Sequence, residues 1–393
     1  MRAFLLIIMV LLSLGLNAQN VRIGILRNTN CSRVLFSYFE GSYLIYGDGS
    51  PFGAILPTES VSVQVIPGGK VKLNKGVVLI GEFNKVELKA TGSNHALRIK
   101  SLSPSLKERK HDDDFSIVAS GNKLTIINHV SMTDYLAGVV ESEGGGGRAE
   151  EYYKVQAIMS RTYAVKYSTR HRKEGFDLCD QVHCQAYHNR LTYTPEIYKA
   201  VEETTNLVME DENKKLVDGF FHANCGGQTS EPQFVWNEAI PYLKSFRDTF
   251  CIHTRQATWE KRIPKKDWRA YLVAQFAYPE NDSLYKEKLY WFAQPERLAF
   301  FHGPELGIPL RDIRTKFNLR STFFSCFPEG DEVVLKGRGF GHGVGLCQEG
   351  AMRMAKAGFA AEQILKFYFP GVVIRERNDN SYYEQPEKSP FDF

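Results

Sequence analysis

The first hundred residues alternate short apolar stretches with turn residues. The stretches are rich in β-branched and aromatic side chains, and glycine, asparagine and proline separate them. This pattern is typical of β-strands. Residues 20–117 are therefore predicted to be β, with strands at Val21–Leu26, Ser42–Tyr46, Val61–Val65, Gly76–Ile80 and Lys85–Lys89 and a turn at Gly92–Asn94.

From residue 115 onward the apolar pattern mixes two periods. Phe115–Val130 predicts two strands joined at Gly121-Asn122, and Ser131 can cap a helix that follows. In Arg148–Arg170 apolar residues recur at three- and four-residue steps, which predicts a long helix. Further helices are predicted at Thr194–Leu207, Lys266–Ala277, Gln348–Ala357 and Ala360–Phe367, and further strands at Lys215–His222 and Glu332–Lys336. The fold class is therefore predicted to be α+β, with a β-rich N-terminal region before a domain of mixed strands and helices.

Charged and polar stretches suggest how the chain is divided. Lys107–Asp114 is a run of charges, which we interpret as a solvated linker or loop. The last residues are polar and lack an apolar period. The predicted divisions are a leader at 1–18, a β-rich region at 19–110, the mixed domain at 111–378 and a polar tail at 379–393.

The N-terminus has the parts of a secretory signal peptide. Arg2 precedes an apolar run from Ala3 to Leu16, and the small residue Ala18 stands at the expected cleavage point. The run is shorter than the ~20 residues that cross a bilayer as a helix. We therefore expect export to the periplasm or cell envelope, with no stable membrane span after cleavage.

Composition and charge exclude some classes of function. The chain has 393 residues, of which 43% are hydrophobic and 24% charged, and its net charge is +4. That charge is too slight to favour nucleic acid, and no Lys/Arg-rich run with interleaved aromatics occurs. The seven cysteines leave at least one unpaired, and their density is below that of a disulfide scaffold.

Two acids are candidates for catalysis. Glu141 and Glu143 follow the apolar run Tyr135–Val140 and precede four glycines, Gly144–Gly147. Because glycine has no side-chain bulk, a substrate can approach a carboxylate closely at such a loop. The alternative is a surface loop with two ordinary acids.

A second glycine-rich segment, Gly337–Gly350, carries His342 near its centre. Its glycines alternate, and on a strand they would leave one face bare for a ligand. The spacing fits neither the dinucleotide-binding nor the Walker pattern. His342 is therefore a candidate acid, donor or ligand, with a structural histidine as the alternative.

Cys179 and Cys184 have four residues between them, which fits half of a zinc site. His171 or His183 could supply a third ligand, although on a strand His183 would point away from Cys184. A small disulfide loop and two free thiols are the alternatives.

A further glycine turn contains Cys225, which is a candidate thiol nucleophile. His222 or His342 could act as its base. Nothing in the sequence places either histidine beside the thiol.

Four segments of the chain stand out together. They are DYLAGVVESE with AEEYYKVQAIMSRTYAV, then FDLCDQVHCQAY, then FFHANCGGQTSEPQFVW, then GRGFGHGVGLCQEGAMRMA, all within Asp134–Ala355. In this order they resemble the motifs of the stage II sporulation protein D (SpoIID)/LytB family. Residues 20–110 are not accounted for by the resemblance.

The resemblance implies a catalytic domain with lytic transglycosylase activity. Such enzymes cleave the MurNAc–GlcNAc β-1,4 bond of peptidoglycan strands already stripped of peptides, and leave 1,6-anhydro-MurNAc ends. It implies Glu143 as the general acid/base, since Glu143 ends the Y-L-x-G-V-V-x-x-E pattern. One carboxylate is enough because the substrate's own C6 hydroxyl is the nucleophile. The implied substrate-binding residues are Tyr135, Arg161, Tyr163, Gln185, Tyr187, Gly226, Gly227, Thr229, His342 and Gln348.

The resemblance also implies a cofactor and partners. Some family members bind structural Zn²⁺ near the C-Q-x-Y motif, for which the ligands here would be Cys179, Cys184 and His171. The implied partners are peptidoglycan glycan strands and a cell-wall amidase. The alternative function is a peptidoglycan-binding module that enhances an N-acetylmuramoyl-L-alanine amidase without cleaving glycan.

The chain departs from the family pattern at three places. Gly144-Gly145 stands where Met-Pro is usual, and Cys225 and Cys347 stand where serine is usual. A helix N-terminus close to Glu143 would favour its ionised form, whereas an acid catalyst needs its proton. Burial by bound sugar would then have to raise the pKa of Glu143.

Overall fold

The structure is a computed structural model that describes residues 20–377. The predicted leader at 1–18 and polar tail at 379–393 lie outside the described residues. The strands are β1 Asn20–Ile25, β2 Arg33–Gly47, β3 Ser50–Ile55, β4 Ser60–Ile66, β5 Lys70–Lys75, β6 Val78–Phe83, β7 Lys85–Ser103, β8 Arg109–Asp112, β9 Asp114–Ser120, β10 Lys123–Ser131, β11 Leu178–Cys179, β12 Leu207–Glu210, β13 Phe221–His222, β14 Thr258–Pro264, β15 Phe324–Glu329, β16 Glu332–Arg338, β17 Leu346–Cys347 and β18 Val373–Glu376. The α-helices are α1 Met132–Gly144, α2 Glu150–Lys166, α3 Glu196–Glu203, α4 Gln233–Trp236, α5 Lys265–Phe276, α6 Leu310–Lys316, α7 Gln348–Lys356 and α8 Ala361–Tyr368, with short 3-10 helices at Arg172–Glu174, Lys288–Tyr290 and Pro304–Leu306.

One large sheet joins the N-terminal region to the rest of the chain. Its order is β11-β1-β10-β9-β7-β2-β4-β5-β6, with β3 added to β2 and β8 added to β7. The fold is α+β, as the sequence predicts. The β-rich N-terminal residues are confirmed as strands, but they pair with strands on both sides of residue 110.

The prediction that Lys107–Asp114 is a solvated linker is wrong. Arg109–Asp112 forms β8, which pairs antiparallel with β7 over the register Ala96↔Asp112 to Ile99↔Arg109. His111 and Asp112 are buried, and Arg190 pairs with the Asp112 carboxylate at 2.9 Å. Arg109 of the same strand pairs with Asp180 at 2.6 Å. The predicted boundary at residue 110 therefore falls within the large sheet.

Helix α1 follows β10 directly, and its N-terminus is capped. Ser131, the last residue of β10, accepts a hydrogen bond from Asp134 N at 3.0 Å, as the sequence predicts for a helix cap. The apolar run Tyr135–Val140 is buried on α1, which packs against α2 and α3. This packing fixes the direction in which the end of α1, and with it Glu143, points.

Gly138 allows α1 to approach the segment that follows Cys184. A Cβ at this position would lie 2.4 Å from the carbonyl oxygen of Asn189 and 2.7 Å from the ring of Tyr187. We expect Gly138→Ala to lower the free energy of unfolding by about 1–3 kcal/mol, because the backbone oxygen cannot move aside without displacing α1. Chemical denaturation measures this change in the free energy of unfolding.

Ser142→Ala, at an exposed position of the same helix, is the control, and its free energy of unfolding should stay within about 0.5 kcal/mol of that of the wild type. Equal stability of Gly138→Ala and the wild type would contradict the close approach.

A second hydrophobic core lies within the predicted mixed domain. It is built on the sheet β14-β16-β15 and on α5 and α6, with Trp268 fully buried at its centre. The main core extends from the large sheet through α1, α2, α7 and α8. The sequence predicts the helix Lys266–Ala277 but gives no sign that residues 263–335 form a core of their own.

Two predicted strands are irregular. Most of Lys215–His222 is irregular, and only Phe221–His222 is a strand, which pairs with β17. The glycines at 339, 341, 343 and 345 all have positive φ, between 69° and 110°, so this segment is a winding loop rather than a strand with one bare face.

Among residues 20–377, no helix combines the length and apolar character required to cross a membrane.

Candidate functional site: a cavity around Glu143

Glu143 lies on the last turn of α1, not in a loop. Gly144 ends the helix, and Gly145, with φ of 65°, caps it by donating its N–H to Glu141 O at 3.1 Å. The glycines that follow the two acids therefore terminate α1. The carboxyl group sits at the C-terminal end of α1, where the helix dipole disfavours negative charge.

The two candidate acids have different surroundings. Both carboxylate oxygens of Glu141 accept backbone N–H groups, from Thr192 and Tyr193, each at 2.8 Å. Glu143 Oε1 accepts one hydrogen bond, from Ala186 N at 3.0 Å. Glu141 is thus engaged in holding the segment before α3, while Glu143 has capacity left for a ligand.

Burial raises the pKa of Glu143 above the usual range of a glutamic acid, and the hydrogen bond from Ala186 N opposes this in part. A glutamic acid with a raised pKa can keep its proton closer to neutral pH. A protonated, half-buried carboxyl group is the form that a general acid requires.

The cavity beside Glu143 has a volume of about 480 Å³. Its walls include Tyr163, Gln185 and His342, three of the residues predicted to bind substrate. Gln348 adjoins it, because its Nε2 donates to the carbonyl oxygen of Glu143 at 3.4 Å. The structure therefore brings four predicted residues together around Glu143, from three separate segments of the sequence. The other lining residues are Met159, Ser160, Val182, His183, Cys184, Gly219, Phe220 and Phe221.

His342 is held by its two ring nitrogens. Nε2 lies 2.9 Å from Phe221 O, and Nδ1 accepts the N–H of Val344 at 3.1 Å. Both contacts require a neutral ring with the proton on Nε2, and burial lowers the pKa of His342 to about 4. His342 therefore contributes a fixed wall of the cavity, and neither ring nitrogen is left to act as an acid or to bind a metal.

Tyr135 and Tyr187 lie behind the cavity wall. Both are fully buried, and their rings meet edge to face at 5.0 Å. Tyr135 donates its hydroxyl to Gln185 Oε1 at 3.1 Å, so it orients a side chain that does line the cavity. Both tyrosines therefore support the residues that line the cavity and do not line it themselves.

Arg161 lies away from the cavity. It is buried and donates to the carbonyl oxygens of Val201 and Thr204, at the end of α3. Burial lowers its pKa to about 10. It thus satisfies the open carbonyls of a helix C-terminus.

The GGQT turn also lies apart from Glu143. Gly226 and Gly227 line a different cavity of about 290 Å³. Thr229 is buried and donates to Lys244 O at 2.9 Å. In the same turn Cys225 is fully buried, and its sulfur is 3.3 Å from Cys251 Sγ. The hypothesis of Cys225 as a thiol nucleophile is wrong, because substrate cannot reach the sulfur.

A group of cysteine and histidine side chains adjoins the cavity. The ligand atoms of His171, Cys179, His183 and Cys184 all lie within 4.8 Å of one another. Cys184 Sγ is 3.4 Å from His171 Nε2 and 3.6 Å from His183 Nδ1, and Cys179 Sγ is 3.7 Å from His183 Nδ1. A tetrahedron with zinc–ligand bonds of 2.0–2.3 Å has edges of about 3.3–3.8 Å, so this donor set fits Zn²⁺.

The surroundings of His171 also fit a metal ligand. Its Nδ1 lies 2.7 Å from Glu174 Oε1, which leaves Nε2 directed at the two thiols. A carboxylate on the far nitrogen of a ligating histidine is a usual partner in zinc sites. The sequence predicts His171, Cys179 and Cys184 as ligands, and the structure adds His183, whose ring turns toward the thiols because residues 180–187 do not form a strand.

The sequence analysis missed the apolar side of the cavity. Phe220 and Phe221 lie within Lys215–His222, a segment predicted as a strand. Met159 lies on a helix whose apolar positions predict only core packing. No sequence signal separates these residues from ordinary core residues, because they meet Glu143 only through the tertiary fold.

The matched segment of this chain includes Glu143, Gln185 and the cysteine–histidine group. A family model described as SpoIID, stage II sporulation protein, matches residues 120–210. This segment is therefore similar to the SpoIID family. It is 29% identical over 310 residues to stage II sporulation protein D of Bacillus amyloliquefaciens, covering 72% of this chain and 84% of that protein.

The chain is similar to two further relatives. The protein of the same name from Bacillus subtilis (strain 168) is 29% identical, over 64% of this chain and 76% of that protein. An amidase enhancer from Bacillus subtilis (strain 168) is 23% identical, over 61% of this chain and 40% of that protein. These similarities indicate a function related to the cell wall.

Proposed function

We propose that the chain is an exported lytic transglycosylase that cleaves the MurNAc–GlcNAc β-1,4 bond of peptide-stripped peptidoglycan. Glu143 is its general acid and base, and the products end in 1,6-anhydro-MurNAc. The observation that carries this proposal is the half-buried Glu143 carboxyl group, with its raised pKa, in a cavity that has no other carboxylate among its described lining residues.

The reaction needs only one carboxyl group. Glu143 gives its proton to the bridging oxygen as the bond from that oxygen to C1 of MurNAc breaks. The C6 hydroxyl of the same sugar then forms a bond to C1 and returns its proton to Glu143. A hydrolase would need a second carboxylate to activate water or to form a covalent intermediate, whereas an intramolecular hydroxyl has the advantage of proximity.

The remaining cavity residues bind and orient the glycan. The N–H of Ala186 fixes Oε1 of Glu143, so that Oε2 is the oxygen left for the substrate. Gln185 and Tyr163 offer polar groups, while Phe220 and Phe221 offer apolar faces for the sugar ring. A bound sugar removes water from Glu143 and raises its pKa further, which favours the acid form before bond cleavage.

The group His171, Cys179, His183 and Cys184 is proposed to hold a structural Zn²⁺. When bound, the ion would supply a cross-link between the end of α2 and the segment that carries Ala186. The two thiols and two imidazoles leave no open position in a tetrahedral site, which is typical of structural zinc. The catalytic residues act without it as a reactant.

The pH dependence of activity should follow the proton on Glu143. Because burial raises the pKa of this group, we expect kcat/KM to fall on the alkaline side at a pH above the ordinary glutamate pKa of about 4.3. His342 is not expected to cause this limb, because burial lowers its pKa to about 4. A rate profile measured on soluble peptide-free glycan checks this. An alkaline limb that persists unchanged in His342→Gln would agree with Glu143 as its source, and a limb lost in that variant would contradict it.

The activity itself is tested on amidase-treated peptidoglycan. Purified protein should release soluble fragments whose mass is lower, by one water, than that of hydrolysis products. Glu143→Gln should release them at least about 100 times more slowly, and Glu141→Gln should release them at a rate close to that of the wild type. Fragments with ordinary reducing ends would contradict the transglycosylase reaction.

The similarity to an amidase enhancer favours a second candidate, a glycan-binding module that stimulates an amidase. In that case the wild type and Glu143→Gln would bind peptide-free glycan equally, make no new chain ends, and accelerate a cell-wall amidase equally.

A further inference from the structure

A second group of side chains that could bind a metal lies at the start of α7, and the proposed reaction does not use it. Its ligand atoms, three sulfurs and a carboxylate oxygen, come from Cys225, Asp248, Cys251 and Cys347 and lie within 4.8 Å of one another. All four side chains are fully buried. Cys225 Sγ is 3.3 Å from both Cys251 Sγ and Asp248 Oδ2, close to the edges of a zinc tetrahedron, about 3.3–3.8 Å.

Hydrogen-bond donors surround this group in the way that metal-bound thiolates and carboxylates require. The backbone N–H groups of Cys225 and Gly350 point at Cys347 Sγ, at 3.3 and 3.4 Å. Tyr368 donates its hydroxyl to Asp248 Oδ2 at 2.9 Å, and Phe250 N donates to Asp248 Oδ1 at 2.9 Å. Donors on the ligand atoms fix their orientation and stabilise their charged forms.

A buried cation also lies beside the group. Arg297 is 5% exposed, and its Nη2 donates to the carbonyl oxygen of Cys225 at 2.7 Å. Three thiolates and a carboxylate would exceed the charge of a divalent ion, and a guanidinium at this distance offsets part of the excess.

We propose that Cys225, Asp248, Cys251 and Cys347 form a second, structural Zn²⁺ site. Without a metal, an aspartate and three thiols would be desolvated together in one pocket, which is costly for the carboxylate. A disulfide would join two of the sulfurs and leave the third thiol and the carboxylate buried beside it. Three soft sulfur ligands favour zinc over magnesium or calcium, and full burial is typical of a closed structural site.

The site would tie together three separate segments of the chain, one of which reaches the cavity around Glu143. Cys225 begins the GGQT turn, Cys251 follows the loop of Asp248, and Cys347 caps α7. The residue after Cys347 is Gln348, whose side chain contacts the backbone of Glu143. Zinc here would hold the start of α7, and so would fix the position of Gln348 against the end of α1.

The first experiment measures zinc and thiols in the purified full-length chain. In Cys179→Ser/Cys184→Ser, which lacks the other cysteine–histidine group, mass spectrometry of the metals should still find about one zinc per chain. Adding Cys225→Ser and Cys347→Ser should remove it, whereas adding Cys326→Ser, a buried cysteine of the second core, should not. Unfolding the wild-type chain in a chelator should free all seven thiols.

The second experiment guards against variants that fail to fold. The wild-type chain, exposed to a graded series of zinc chelators, should lose zinc in two steps, and Asp248→Asn should shift only one of them. A chain whose cysteines are intact and reduced but which binds no zinc beyond the group at Cys179 would overturn the proposal. So would an intact mass and thiol count that place Cys225, Cys251 or Cys347 in a disulfide.

Discussion

Glu143→Gln is expected to lower the rate of glycan cleavage by about 100- to 10,000-fold, which is the usual contribution of a general acid or base. Glutamine keeps the size of the side chain and can still accept the N–H of Ala186 through its amide oxygen. It cannot donate a proton to the leaving oxygen or take one from the C6 hydroxyl. The cavity should therefore still bind glycan, so that kcat falls while KM changes little.

The same substitution should make the fold more stable at neutral pH. Burial raises the pKa of Glu143 in the folded protein above its value in the unfolded chain. Between those two pKa values the folded state holds a proton that the unfolded chain has released, so the free energy of unfolding falls as pH rises through this window. Gln does not ionise, and the variant should melt at a higher temperature than the wild type at pH 7. The difference should vanish at a pH below about 4, where the carboxyl group is protonated in both states.

Glu141→Gln is the matched control. It removes charge-assisted hydrogen bonds to the N–H groups of Thr192 and Tyr193, so we expect a loss of about 1–2 kcal/mol in the free energy of unfolding. Its cleavage rate should stay close to that of the wild type. Glu143→Gln should thus lose activity and gain stability, whereas Glu141→Gln should keep activity and lose stability. General damage to α1 would not give opposite effects at two residues so close together. An inactive Glu141→Gln with a fully active Glu143→Gln would exchange the roles assigned to the two residues.

Loss of the zinc proposed at His171, Cys179, His183 and Cys184 is expected to have the second largest effect. Cys179→Ser/Cys184→Ser should lose about one zinc per chain and, at free zinc about a thousand times the wild-type Kd, about 4 kcal/mol of stability. Because Cys184 precedes Ala186 by two residues, the N–H that holds Glu143 should lose its fixed position. We expect kcat to fall by about 10- to 100-fold, as for other small misplacements of a catalytic group.

Cys31→Ser is the control for this substitution, since Cys31 is also buried in the main core but lies outside both cysteine groups. It should keep its zinc and its activity. A full zinc content in Cys179→Ser/Cys184→Ser would contradict the site. Wild-type protein in which these two thiols are oxidised to a disulfide would contradict it as well.

The elements that the sequence predicts well are those with local signals. Ser131 starts α1, the three- and four-residue steps of Arg148–Arg170 give α2, and the alternating segments before residue 110 give strands. Predictions failed where long-range pairing changed the meaning of a local pattern. Gly92–Asn94 resembles a turn but lies within the 19-residue strand β7, because irregular pairing with β2 accommodates its positive φ values. Lys107–Asp114 resembles a linker but supplies β8.

In the candidate site, too, the sequence predicts what local motifs encode and misses what depends on long-range contacts. The motif order identifies Glu143, Gln185, His342 and Gln348, and the structure brings them together. Arg161 and Thr229 belong to the same motifs but hold the backbone elsewhere, and a motif alone cannot distinguish a residue that lines a cavity from one that supports it. The three cysteines of the second group lie up to 122 residues apart in the chain. Their convergence depends on the pairing of β13 with β17, which no local pattern encodes.

The central claim is that one carboxyl group, Glu143, directs an attack by the substrate's own hydroxyl. The most direct measurement is cleavage of peptide-free glycan strands in water labelled with heavy oxygen, followed by mass spectrometry of the new chain ends. The account predicts anhydro ends that carry no label, at a rate that falls by orders of magnitude in Glu143→Gln. Heavy oxygen in the new ends would show that water is the nucleophile, and would contradict the account.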